Sequence, residues 1–321
     1  MKAMILAAGL GTRMAPLARS QAKPALPVLD VPVALRLVRA LAKHGVTRIV
    51  VNTHAHPESV RRALESSPVP VDWVEEPELR GSGGGVRGAR AKLEGDEPFL
   101  VLNGDMCLEL DVRALVARHR ARAALVTLAL RDDPRKRQFG SIGYDADGDV
   151  RRITERIDLR GEKGSGLFIG VQVMEPAVFA RMPASARFEI IPELWLPALR
   201  EGTRISSWVQ PGNAHWWPVG SPLELLDANL AALETEIRGN GLSVDPRAEV
   251  FGEVVGPAWV GAGATVAEGA RVGPNAVVSR GARIGPDARL ENALALPDAT
   301  VLAGARLKRA VAYGDEVWRD E

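Results

Sequence analysis

Cysteine is almost missing from this chain of 321 residues, and Cys107 alone rules out an internal disulfide or a cysteine-based metal cluster. A lone cysteine in that setting reads as a small packing residue and fits a reducing compartment. Net charge is nearly absent too: 41 basic residues face 40 acidic ones, which leaves no long-range field to gather nucleic acid or an anionic membrane. Any phosphate chemistry must then be local. Long apolar runs are also lacking. The opening MKAMILAAG stops at Gly9 and soon meets Arg13, far short of the roughly 20 residues that a membrane span needs. That opening reads as a first buried strand, and the protein as cytoplasmic.

Up to about residue 130, short β-branched runs alternate with amphipathic stretches of helical period, the pattern of an α/β fold with a mainly parallel sheet. Strands are expected at Ala3 to Ala7, Arg48 to Asn52, Val71 to Val74, Phe99 to Leu102 and Ala124 to Leu130. Ser141 to Ile153 reads as a hairpin, and helices are expected at Ile190 to Arg200 and Leu223 to Ile237. Gly239, Asn240 and Gly241 end the last helix and divide the chain into regions 1–240 and 241–321. Past that break the period becomes six. Val254, Val260, Val266, Val272, Val278, Ile284, Leu290, Leu296 and Leu302 are aliphatic at strict six-residue spacing, the repeat of a parallel β-helix with an aliphatic interior.

The first strand runs into LAAGLGTRM, so Gly9 and Gly11 lie where open α/β sheets bind ligands, and glycines let backbone amides approach a phosphate. Met14 in place of a third glycine excludes the dinucleotide fingerprint, and no G-K-[ST] ending marks a P-loop. KPALPV follows, with Lys23 ten residues beyond Arg13 between stiffening prolines. Two cations facing a phosphate loop suit a reaction that releases pyrophosphate. In FLVLNGD, Asp105 ends an apolar strand, a place from which a carboxylate can hold Mg²⁺ on phosphate oxygens. By itself the stretch EPELRGSGGG, Glu76 to Gly85, reads as a flexible loop.

Residues Leu6 to Val28, LAAGLGTRMAPLARSQAKPALPV, resemble the opening motif of the sugar-1-phosphate nucleotidyltransferases, and the likeness extends over most of the chain. The resemblance implies a Rossmann-like nucleotidyltransferase domain followed by a short left-handed β-helix, with Mg²⁺ as cofactor. Its substrates would be a nucleoside triphosphate and a sugar 1-phosphate. It implies that Arg13, Lys23 and Asp105 are catalytic, with Asp105 on the metal. Leu6, Ala8, Gly9, Gly11, Thr12, Glu76 and Gly81 would hold the nucleotide, Glu76 and Gly81 near the base. FGSIGYDADGDVRRITER resembles a further family stretch and implies that Gly140, Glu155 and Arg156 line the sugar phosphate, with Arg156 where a lysine is usual; Gly170, outside that stretch, is expected at the same site.

One departure stands out. In HWWPVGSP the family has an aspartate that shares the metal, and Pro218 occupies its place. Two readings follow from it: an enzyme with a weaker metal site, or a nucleotide-sugar-binding regulatory relative without turnover. The base leans to guanine, because a carboxylate at Glu76 could accept two hydrogen bonds from it and one from uracil; uracil and thymine stay open. Other constellations lead nowhere. Asp145, Asp147 and Asp149 lack the glycine and glutamate of a calcium loop, since Val150 and Arg156 stand there. His54 and His56 have no third ligand, and Trp216 and Trp217 read as packing without a basic stripe for nucleic acid. No histidine follows His215, so acyl transfer on the six-residue repeats is disfavoured. Those repeats are expected to serve self-association or regulation, as a homo-oligomer contact, and to be dispensable for nucleotide binding.

Overall fold

The structure is a computed structural model that describes residues 1–212, 214–237 and 241–319. Gly239 and Asn240, read as helix breakers, lie outside the described residues. Contacts divide the chain into two compact units, one of residues 1–10, 34–104 and 108–216, the other of residues 11–33, 105–107 and 217–321.

In the first unit the apolar runs form a central sheet. Its strands are β1 (Lys2–Leu6), β2 (Arg48–Thr53), β3 (Val71–Glu75), β4 (Phe99–Asn103), β5 (Val126–Arg131), β6 (Gly164–Met174) and β7 (Ile205–Val209), in the order β3-β2-β1-β4-β6-β5-β7. Neighbours are parallel except at β6, which runs against β4 and β5. Strand direction alone put the sheet in the expected class, but β6 is a strand that the βαβ pattern does not announce. The chain order reverses around β1, where Leu6 registers with both Asn52 and Asn103, and open α/β sheets bind ligands outside the carboxyl ends at such a point. Helix α1 (Val33–Lys43) buries the stripe Leu35, Val38 and Leu41, as its 3.6-residue period requires. The expected hairpin forms from Ile142–Tyr144 and Val150–Ile153.

Helix α2 (Gly81–Gly88) corrects the reading of GSGGG as a flexible loop: it is helical although five of its eight residues are glycine. Close packing explains the composition. A Cβ on Gly83 would overlap the Phe188 ring, one on Gly84 the carbonyl of Ala186, and one on Gly85 would lie 2.7 Å from Asn52 Nδ2.

The second unit holds three rows of short parallel strands. Val254 pairs with Val272 and Val272 with Leu290, a step of 18 residues, so one six-residue repeat occupies each side of a turn. Val260, Val266, Val272, Val278, Ile284 and Leu290 are buried together in one cluster. The register then slips by one. Gly273-Pro274-Asn275 makes the corner before Ala276, whereas Glu291-Asn292 makes it before Ala293, and Ile284 pairs with Val301, a step of 17. Ala295, Val301 and Leu307 therefore fill the interior. Leu296 instead joins an outer apolar cluster and Leu302 is exposed, which corrects their expected inward positions.

That outer cluster contains Val277, Leu294, Leu296 and Val311 from the coil, Leu225, Leu226 and Leu233 from helix α3 (Pro222–Glu236), and Met14, Leu26, Val28 and Leu29 from the segment after β1. Ser221 caps α3, its Oγ accepting the amide of Glu224 at 3.2 Å, and Pro222 opens the first turn. Among the described residues no helix is long and apolar enough to cross a membrane.

Candidate active site

The phosphate-loop candidates divide at Leu10. Leu6 ends β1, Ala8 is buried and Gly9 is exposed, with nothing within 4 Å of where its Cβ would stand. In the second unit, Gly11 has φ +69 and opens a 3-10 turn over Thr12–Met14. A side chain there would be strained and crowded, because a Cβ would lie 3.3 Å from Lys23 Cγ. Gly11 thus lets the Lys23 stem lie across the turn. The Lys23 ammonium stands 3.6 Å from Asp105 Oδ2; the lysine side chain is 13% exposed and the aspartate 37%. So a half-sheltered cation and a more open carboxylate meet beside the turn that follows the first strand.

The region around Pro218 is fixed to the same place. Val219 donates its amide to the Asp105 carbonyl at 2.8 Å, and Gly220 donates to Glu224 Oε2 at 2.8 Å. A Cβ on Gly220 would lie 3.0 Å from Arg13 Nη2, so the glycine leaves room for that guanidinium. Asp105 and Arg13, predicted as catalytic, therefore both adjoin the Val219-Gly220 backbone, and Lys23 is linked to them through Asp105.

At the strand ends of the first unit, Glu76 is buried and both its oxygens are engaged. Asn52 Nδ2 donates to Oε1 at 2.7 Å and the Arg80 amide to Oε2 at 3.0 Å. Asn52 also accepts the Ala7 amide at 2.9 Å, so one buried amide side chain ties the end of β1 to Glu76. Burial and these two bonds tie the carboxylate expected near the base to the protein's own chain. Gly81 has φ +71, and its neighbour Ser82 donates backbone and hydroxyl hydrogens to Glu189. His54 Nδ1 lies 2.8 Å from the Glu76 carbonyl, which gives that histidine a structural partner. His54, Pro77, Leu79, Arg80, Ala186 and Arg187 line a cavity of about 610 Å³.

The predicted sugar-phosphate residues also lie in the first unit. Gly140 has φ +89 and faces Thr154, while Glu155 and Arg156 are exposed in the turn after the hairpin. Gly170, φ +76, makes a bulge in β6 against Asn103. Trp216 is buried and donates its indole N–H to the Ile169 carbonyl at 3.2 Å, beneath the guanidinium of Arg135. Side-chain hydrogen bonds from Arg135 push the Asp133 carboxyl down to about 2. That ion pair braces the segment leading to Gly140.

Among the described residues no three histidine, cysteine or acidic side chains are grouped to hold a metal. Asp105 offers one accessible carboxylate and Pro218 none. This suits an ion that arrives already bound by phosphates, because Mg²⁺ is commonly held by one or two carboxylates plus substrate oxygens and water.

Asn52 and Glu224 are not singled out by the sequence. Asn52 carries a weak signal, a polar residue closing an otherwise apolar run; Glu224 has none, since its partner is set by the folded chain.

Residues 2–235 match the family described as nucleotidyl transferase. A UTP--glucose-1-phosphate uridylyltransferase of Synechocystis is 25% identical over 98% of this chain and 87% of its own. A mannose-1-phosphate guanylyltransferase of Mycobacterium tuberculosis is 28% identical over 84% of this chain and 77% of its own. The structure of HddC from Yersinia pseudotuberculosis complexed with GMP-PN has the same fold, with a TM-score of 0.59, 24% identity, and coverage of 71% of this chain and 97% of that one. Enzymes of this kind use a divalent metal. The chain belongs to the nucleotidyl transferase family and is an enzyme of the sugar-1-phosphate nucleotidyltransferase type.

Proposed function

We propose that this protein transfers a nucleotidyl group from a nucleoside triphosphate to a sugar 1-phosphate, with Arg13, Lys23 and Asp105 as its catalytic residues. The observation that carries this reading is the Lys23–Asp105 pair at 3.6 Å beside the Gly11 turn. An oxygen of the sugar 1-phosphate attacks the α-phosphorus in line, and the bond to the departing pyrophosphate breaks. The attacking group is already an anion, so no general base is required. Lys23 and Arg13 stabilise the charge that accumulates on the phosphates, an effect strongest where solvent is excluded. A divalent cation, taken as Mg²⁺, would be held by Asp105 and the triphosphate and would neutralise phosphate charge. Backbone amides around Gly9 and Gly11, with Leu6, Ala8 and Thr12, receive the nucleotide; Glu76 and Gly81 shape the base site; Gly140, Glu155, Arg156 and Gly170 receive the sugar phosphate.

Because Glu76 is committed to Asn52 and Arg80, it supports the base site through them, and the choice of base rests on comparison. Relatives named as mannose-1-phosphate guanylyltransferases make GTP with mannose 1-phosphate the first pair to test, and the Synechocystis relative makes UTP with glucose 1-phosphate the second. Pyrophosphate release measured over four nucleoside triphosphates and several sugar 1-phosphates tests the reading; no release from any pair overturns it.

Pro218 favours a second reading, a nucleotide-sugar-binding regulatory relative. Pro218→Asp separates the two in a Mg²⁺ titration with Asp105→Asn as control. A working enzyme should need less Mg²⁺ for half-maximal rate after the change, whereas a regulatory relative should gain turnover that the parent lacks. An unchanged titration in a folded variant would remove position 218 from the metal site.

We also propose that the region 241–321 is a left-handed parallel β-helix of hexapeptide repeats and a contact for homo-oligomers, the region 1–240 being the nucleotidyltransferase domain. Parallel pairing at steps of 17 and 18 residues supports the first part.

A further inference from the structure

Lys23 sits on a three-residue 3-10 turn inside a segment, residues 11–33, with little regular structure of its own. Such a segment needs outside contacts to hold one charged group in place. Those contacts come from a hairpin of Pro27–Val28 and Val31–Pro32, whose turn residues Leu29 and Asp30 both have positive φ, 46° and 60°. Asp30 thereby projects its carboxylate onto the coil. Oδ2 accepts the indole N–H of Trp259 at 3.0 Å, and the Arg280 amide donates to Oδ1 at 3.0 Å and to Oδ2 at 3.2 Å. Gly261 makes the seat: a Cβ there would overlap Asp30 Oδ2. From the other side Asn229 of α3 clamps the same turn, its Oδ1 accepting the Leu29 amide at 3.0 Å and its Nδ2 donating to the Pro27 carbonyl at 3.3 Å. Leu26, Val28 and Leu29 are buried against Val277, Leu294 and Val311.

We propose that Asp30 is a positioning residue for Lys23, and that the coil, through Trp259, Gly261 and Arg280, forms part of the catalytic apparatus by seating it. This rests on the catalytic role proposed for Lys23 and changes the role expected of the six-residue repeats: they hold the Lys23 segment. Charged hydrogen bonds to a backbone amide and an indole are among the stronger kinds, and a catalytic group displaced by about 1 Å can cost on the order of 100-fold in rate.

The test uses the full chain and the variants Asp30→Ala, Asp30→Asn, Trp259→Phe and Gly261→Ala. The first readout needs no turnover: acylation of Lys23 by an amine-directed reagent, followed by peptide mass spectrometry, with the 72% exposed Lys308 as internal standard. Loss of the anchor should raise Lys23 labelling relative to Lys308 by about tenfold, a change typical of local opening, in Asp30→Ala and Gly261→Ala. Asp30→Asn and Trp259→Phe, which each keep part of the contact, should fall between. The second readout is pyrophosphate release: kcat should drop about 100-fold in Asp30→Ala with KM for the sugar 1-phosphate within about threefold, and recover in part in Asp30→Asn. Parent labelling rates in a folded Asp30→Ala or Gly261→Ala overturn the anchor. Raised labelling with parent kcat overturns the link to chemistry. A parent without turnover on any substrate pair overturns the proposed function instead, and the labelling rates then decide the anchor alone.

Discussion

The two glycine-rich segments look alike as strings of letters and are held to glycine for opposite reasons. At Gly11 the backbone itself needs a positive φ, and the space saved is filled by the stem of Lys23. In helix α2 only the first residue, Gly81, has a positive φ, and the glycines at 83, 84 and 85, whose backbone is ordinary, are required by what presses on them, Phe188, Ala186 and Asn52. One segment uses glycine to admit the stem of Lys23 and the other to let two pieces of chain approach. A count of glycines therefore says that something comes close, without saying whether it is a substrate, a side chain or a neighbouring backbone.

Substitutions can break that contrast or sharpen it. The largest effect is expected on the functional side, at Lys23→Ala, where loss of one electrostatic donor should cost about 3 to 4 kcal/mol of transition-state stabilisation with the fold intact. Steady-state pyrophosphate release beside circular dichroism measures both, and near-normal turnover would remove Lys23 from the chemistry. Gly84→Ala should lower the stability of the fold by about 1 to 3 kcal/mol, because the carbonyl of Ala186 belongs to a backbone that must shift to admit a methyl group. Urea unfolding reads that loss; parent stability would mean that the helix tolerates a wider separation. Smaller again is Gly11→Ala, expected to cost about 1 to 2 kcal/mol for the left-handed backbone and to slow turnover by displacing Lys23. If its stability falls and its rate does not, the turn and the lysine are uncoupled. The smallest change in stability, within about 0.5 kcal/mol, is expected at Gly9→Ala, where the added methyl group meets open space. Its signature should be a raised KM for the nucleoside triphosphate, since that space is where the proposed phosphate approaches; an unchanged KM would move the phosphate elsewhere.

What could be read in advance follows the range of the forces involved. Strands β1, β2 and β4 are legible because burial on both faces writes a continuous apolar run into neighbouring residues. Asp105 is legible for a similar reason, as the first acidic residue after such a run. The six-residue repeat is legible through Leu290 and then misleads, because Leu296 and Leu302 keep the letter pattern after one corner has lost a residue. Helix α2 was hidden because its poor helix formers are compensated by packing against residues 186–188, about a hundred positions away. The engagement of Glu76 was hidden likewise, since its partner Asn52 lies 24 residues off in sequence and only strand pairing brings them together. Asp30 is the extreme case, an acidic residue in a turn with every local reason to face water.

That residue has a consequence for the order in which the molecule can be made. Asp30 and Arg280 are separated by 250 residues, and synthesis proceeds from the amino end. At about 5 to 20 residues per second, the hairpin waits on the order of 10 to 50 seconds on the ribosome before its partner exists. On the proposed role of Asp30, the Lys23 segment is thus among the first parts to be translated and the last to be seated, and a nascent chain interrupted before Arg280 carries Lys23 without that anchor.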